Sequence, residues 1–129
     1  MASLSINLGD AFLLYTPPNG EHLYIAIAPT SNNRYLFVNV TSRRSNSETA
    51  CILVPGAGVP RFIVRESVIA YQFARELNVT ELSRLIVAGS PIPKGTFSAT
   101  VLTQIQQGGL ASRRLTNRYK NVLKAFLSK

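Results

Sequence analysis

What most constrains this chain is the way its apolar residues are cut into short pieces. Through the first two-thirds, segments of strand length are each closed by Pro, Gly, Asn or Ser. AFLLYT runs into Pro17-Pro18-Asn19-Gly20, EHLYIAIAP into Ser31-Asn32-Asn33, RYLFVNVTS into the polar run SRRSNSET, and ACILV into Pro55-Gly56. These residues accept turn dihedrals or fix φ, so the punctuation is that of tight turns between extended strands, with the first pair forming a hairpin. In RYLFVNVTS, Tyr35, Phe37, Asn39 and Thr41 share one face while Leu36, Val38 and Val40 share the other. GVPRFIVRESVIAYQFA reads as two more extended pieces, of which SVIAYQFA is the second. Short strands at close spacing predict a small curled sheet or barrel.

Toward the end the apolar period changes from two to about four. Thr96 or Ser98 can cap a helix in which Phe97, Val101 and Ile105 recur, and Gly108-Gly109 is its expected stop. Ser112 is then expected to cap a second helix reaching about Leu127. Leu115, Tyr119, Val122, Leu123, Phe126 and Leu127 fill one arc of its wheel, opposite Arg113, Arg114, Arg118, Lys120 and Lys124. The segment NVTELSRLIVAGSP is compatible with a helix, because Asn78 and Glu81 have capping-box spacing, or with a turn followed by a strand through LIVAG. The second is the reading adopted. The expected architecture is mainly β with C-terminal helices (α+β). It is one domain over residues 1–129, strand-rich over 5–90, with a basic tail of two helices over 96–129.

Charge divides the chain. Residues 1–81 hold all six acids and six bases and are neutral, whereas residues 82–129 hold eight bases and no acid, so the net charge of +8 lies wholly in the last part. A one-signed surface of this kind attracts polyanions, nucleic acid above all. Cys51 is the single cysteine, which rules out an intrachain disulfide and fits a reducing, cytoplasmic location. The start MASLSINLGD has the form of neither a signal nor a transit peptide, and no apolar run approaches a membrane span. One His, one Cys and scattered acids do not make a dedicated metal site, and no cofactor is expected.

His22 is the one side chain that titrates near neutrality unaided, and it stands just after the Asn19-Gly20 turn. Hydroxyls and guanidinium groups concentrate at Thr41-Ser42-Arg43-Arg44 and again at Arg61, Arg65, Ser67 and Tyr71. Such groups bind phosphate and steady the charge that builds in phosphoryl transfer. They suit metal-free RNA cleavage, in which the ribose 2′-hydroxyl attacks its own phosphodiester.

The order Gly9-Asp10, apolar strand, Pro17-Pro18-Asn19-Gly20, apolar strand, Thr41-Ser42, short strand and helical end resembles the MazF/PemK-like toxins over about residues 7–54. The resemblance implies an SH3-like barrel with a C-terminal helix, a homodimer, and metal-independent cleavage of single-stranded RNA that an antitoxin protein blocks. It places Thr41 in the active site. The family's catalytic arginine belongs to an Arg-Pro pair that opens the second strand, where this chain has His22-Leu23, and the family's usual Pro two residues before the Thr is Asn39. On this reading His22 moves the proton, Thr41 and Ser42 position the phosphate, and Arg44 or Arg65 stabilises its charge. Arg43, Arg113, Arg114, Arg118, Lys120 and Lys124 hold the RNA. Two other readings stay open. One is a nucleic-acid-binding module without catalysis, stacking bases on Tyr35, Phe37 or Tyr71; the other is an inhibitor or adaptor that docks the basic helix onto an acidic protein.

Overall fold

Alternating side chains decide which face of each strand is buried, and they build one sheet with a core on both faces. The structure, a computed structural model, describes residues 4–18 and 20–129. The elements run β1 (Asp10–Tyr15), β2 (Glu21–Pro29), β3 (Arg34–Ser42), β4 (Ile52–Leu53), β5 (Ser67–Asn78), α1 (Val79–Leu85), β6 (Gly95–Thr96), α2 (Ala99–Ala111) and α3 (Asn117–Leu127). The strands form one antiparallel sheet in the order β4-β5-β3-β2-β1-β6, curled into a half-barrel and followed by helices. This is the mainly β, α+β architecture that the punctuation predicts. Asn19, in the expected β1–β2 turn, lies outside the described residues. None of the helices among the described residues is long and apolar enough to cross a membrane.

On one face, Ile25, Leu36, Val38, Val40, Ile69 and Tyr71 pack with Ile105 of α2, Leu115, and Leu123 of α3. On the other, Phe12, Leu14, Ala26 and Phe37 pack with Leu77 and with Leu82 of α1. Two bulges bend the sheet. In β2 the pairs Ala26↔Phe37 and Ala28↔Leu36 pass over Ile27, whose carbonyl instead accepts a hydrogen bond from buried Gln106 Nε2 at 2.8 Å. In β5 the pairs Phe37↔Arg75 and Asn39↔Ala70 leave one residue between them on β3 but four on β5, so β5 carries three extra residues there.

Several expected boundaries are corrected. Residues 79–85 form a helix, not a turn and strand. Asn78 Oδ1 accepts from the Glu81 amide at 2.8 Å while Glu81 returns the bond to the Asn78 amide at 2.9 Å, closing the capping box. Only Ile86 keeps a β-bridge, to Leu14. Residues 54–66 contain no strand. α2 does not stop at Gly108-Gly109 but runs through both. A Cβ on Gly108 would stand 2.5 Å from the Tyr71 hydroxyl and 2.9 Å from Cys51 Cβ, so glycine serves close packing there and not termination. Ser112 ends α2 and does not begin α3. Its hydroxyl donates to Glu48 and accepts from the amides of Arg114 and Leu115, and the residue that opens α3 is Thr116.

Candidate functional site

The second face of the sheet changes character along its length. In β1 the inward residues Phe12 and Leu14 are followed by Thr16; in β2 Ala26 is followed by Tyr24 and His22; in β3 Phe37 is followed by Asn39 and Thr41. Antiparallel register brings these changes side by side, since Leu14 pairs with His22 and Tyr24 with Asn39. The apolar half is covered by α1 and by the segment around Leu4, Ile6 and Leu8. The polar half opens into a pocket of about 380 Å³, lined by Thr16, Pro17, His22, Tyr24, Asn39, Thr41, Phe73 and Arg75. That volume falls in the range of small-molecule sites.

Four polar side chains of the pocket, Thr16, His22, Tyr24 and Asn39, are held by neighbours. Thr16 Oγ1 and His22 Nδ1 are hydrogen-bonded at 2.9 Å, which fixes the imidazole and leaves Nε2 for the pocket. Asn39, buried beneath the floor, donates from Nδ2 to the Leu23 carbonyl at 3.2 Å. The Tyr24 hydroxyl donates to the Phe73 carbonyl at 3.2 Å and so ties β2 to the β5 bulge. Burial pushes the Tyr24 phenol above its ordinary value, and the Arg75 guanidinium beside it opposes that rise. Tyr24 is therefore a proton-bearing donor at neutral pH.

No carboxylate lines this pocket among the described residues, and none forms an ion pair with Arg75. Five of the six acids are engaged elsewhere, Asp10 by the Thr96 hydroxyl, while Glu21 is exposed at the start of β2. Glu76 pairs with Arg34 and Arg118, Glu81 with Arg34, and Glu66 with Arg43. Glu48 accepts from the Ser112 hydroxyl and the Arg113 amide. A second groove of about 330 Å³ shares Thr41 and Phe73 with the first and continues past Ser42 to Arg44 and Arg114, with the engaged Glu48 on its wall. Arg114 is held there by donating to the Asn46 carbonyl at 3.0 Å. Among the described residues no three His, Cys, Asp or Glu side chains converge. What the two hollows offer a ligand is cations, hydroxyls and one imidazole, which is the donor set of an anion site.

The expected residues divide accordingly. His22 and Thr41 meet in the pocket, and Ser42 and Arg44 lie in the adjoining groove with Arg114. Arg65 is exposed in the loop before β5 and lines neither hollow; its carbonyl accepts from Ser67 Oγ. Arg43 is ion-paired with Glu66, and Arg118 with Glu76. Lys120 and Lys124 line neither hollow, because α3 packs on the opposite face of the sheet, and Arg113, in the connection between α2 and α3, lines neither of them. Tyr71 and Phe37 are core residues, the Tyr71 hydroxyl donating to the Ile105 carbonyl at 2.6 Å, so neither offers a ring for stacking. Sequence reasoning missed Arg75, Tyr24 and Phe73. A scan against protein-family models returns no match for this chain, and comparison with curated protein sequences finds none either.

Proposed function

We propose that this protein is a metal-independent endoribonuclease that cleaves single-stranded RNA, in the manner of the MazF/PemK-like toxins that it resembles over about residues 7–54. The observation that carries the reading is the convergence of His22, Thr41 and Arg75 on one open pocket that continues into a groove bearing Arg44 and Arg114. His22 Nε2 takes the proton of a ribose 2′-hydroxyl, whose oxygen forms a bond to the adjacent phosphorus. Arg75 and the Thr41 hydroxyl neutralise the charge that accumulates on the phosphorane. The bond from phosphorus to the 5′-oxygen then breaks. The imidazolium returns its proton, through a water, to the leaving oxygen. The products are a 2′,3′-cyclic phosphate and a 5′-hydroxyl, and no water is consumed.

The cationic groove supplies affinity by counterion release, so RNA binding weakens as salt rises. An antitoxin would be a protein that covers the pocket, and a homodimer would bring two pockets into one particle. The decisive experiment incubates the protein and its His22→Ala variant with a long unstructured RNA in EDTA. Fragments with 5′-hydroxyl ends that disappear in the variant support the reading. Intact RNA that both proteins bind replaces it with a nucleic-acid-binding module.

A further inference from the structure

Of the eleven aromatic rings, Phe12, Tyr24, Phe37, Tyr71 and Phe97 are buried in the two cores and four more are partly buried. Phe73 is 54% exposed. It belongs to the three-residue bulge of β5, and it lines both the His22–Arg75 pocket and the Arg44–Arg114 groove. Its backbone is tethered, because its carbonyl accepts from the Tyr24 hydroxyl. Tyr15, the other strongly exposed aromatic ring, lines neither hollow. A tethered strand residue thus exposes its phenyl ring at the junction of two hollows that bear cationic side chains.

We infer that Phe73 is a base-stacking residue that selects single strands, taking the nucleobase between a phosphate held at His22 and Arg75 and one held at Arg44 and Arg114. A ring flanked by cations is the arrangement that binds a single strand, the cations following the backbone and the ring taking a base. A base inside a duplex has both faces covered, so it cannot stack on Phe73 without leaving the helix. The inference takes the polarity of the site from the ribonuclease reading, but stacking is measurable without any cleavage.

The test uses a labelled all-deoxy oligonucleotide, which lacks the attacking 2′-hydroxyl, and its duplex, titrated at fixed salt. The proteins are wild type, Phe73→Ala, Phe73→Leu and Phe73→Trp, each confirmed as folded by its melting transition. Stacking predicts that Ala and Leu weaken single-strand binding by about tenfold, that Trp preserves it, and that duplex affinity is unchanged. The slope of log affinity against log salt stays the same, because the ring carries no charge. Three results overturn the inference: Leu binding as well as Phe, all variants binding single strands to within about twofold, or wild type binding none. Cleavage of the matching ribo-oligonucleotide is scored beside it. Phe73-dependent binding without cleavage keeps this inference and removes the nuclease reading; cleavage that does not depend on Phe73 does the reverse.

Discussion

Thr16 Oγ1 lies 2.9 Å from His22 Nδ1, joining the end of β1 to the start of β2 across the mouth of the pocket. Such a contact positions an imidazole without touching its reacting nitrogen. Replacing Thr16 by Val keeps the shape and removes the hydrogen bond, so the ring is free to turn. We expect kcat for RNA cleavage to fall about tenfold with little change in KM, the pattern for a group that orients the proton-transfer residue. Thr16→Ser, which restores the hydroxyl, should return the rate. A Val variant with full kcat would show that the contact positions nothing that matters.

Arg75 and Arg65 separate the structure's reading from the sequence's. Arg75 lines the pocket without an acidic partner among the described residues, whereas Arg65 lies exposed in the loop before β5 and lines neither hollow. If Arg75 stabilises the phosphorane, Arg75→Ala should cut kcat by about 10²–10³, the usual effect of deleting one such donor. Arg65→Ala should leave the rate within about twofold, as for a surface change away from the site. Single-turnover cleavage by the two variants decides it, and equal losses would return the role to the cationic loop.

The reason Arg75 was hidden is geometrical. Val68 and Ala70 pair with Thr41 and Asn39 on the pocket face, while Ile69 and Tyr71 point to the helical core. Strict alternation would carry Arg75 to the core side with them. The bulge inserts three residues, an odd number, and so turns Arg75 to the pocket face opposite Phe37. Nothing in SVIAYQFARE announces that insertion. Where alternation is unbroken, as in β3, the sequence reading placed Phe37, Asn39 and Thr41 on one face as observed, and His22, singled out from the sequence, lines the same pocket as Asn39 and Thr41. The helical arc of α3 was legible for the same reason: Leu123 is fully buried, Tyr119, Phe126 and Leu127 pack partly buried against the core, and Leu115 is buried just before the helix, whereas Val122 is partly exposed and outside that cluster. The role of Gly108-Gly109 was not, because close approach to Tyr71 and Leu123 depends on residues distant in the chain.

Cys51 is buried next to Tyr71, and burial pushes its thiol from an ordinary 9.0 up to about 11, the Tyr71 hydroxyl offsetting only part of the rise. Well below pH 9 the thiol is protonated whether the chain is folded or not, and its ionisation leaves stability unchanged. Between about pH 9 and 11 the unfolded chain loses this proton while the folded chain keeps it, so stability falls as pH rises through that window, on the order of 2 kcal/mol. Cys51→Ala should therefore lose less stability than wild type between pH 8.5 and about 10.5 in denaturant melts. Parallel losses would mean that the thiol ionises as readily in the folded state. At pH 8 the native thiol should resist alkylation that proceeds once the chain is unfolded.

Gly108 offers the sharpest test of the helix-to-sheet packing, because two opposing effects of known size act on one methyl group. Ala in place of Gly within a helix contributes about 1 kcal/mol of stability through propensity alone. Against this, the new Cβ of Gly108→Ala would meet the Tyr71 hydroxyl at 2.5 Å, Cys51 Cβ at 2.9 Å and the Ala50 carbonyl at 3.0 Å. None of these is the free end of a flexible side chain. Tyr71 is fully buried and its hydroxyl is committed to the Ile105 carbonyl, while the Ala50 contact is backbone. Relief requires α2 to lift from β5, which costs about 1–3 kcal/mol for overpacking and about 1 kcal/mol more if the Tyr71 hydrogen bond is broken. The clash outweighs the propensity, so Gly108→Ala should lower the melting temperature despite favouring the helix. Adding Tyr71→Phe removes the closest contact and should recover part of the loss, so that the two changes are less damaging together than their separate effects sum to. A Gly108→Ala protein as stable as wild type would mean that α2 does not seat as closely on Tyr71 as the structure has it.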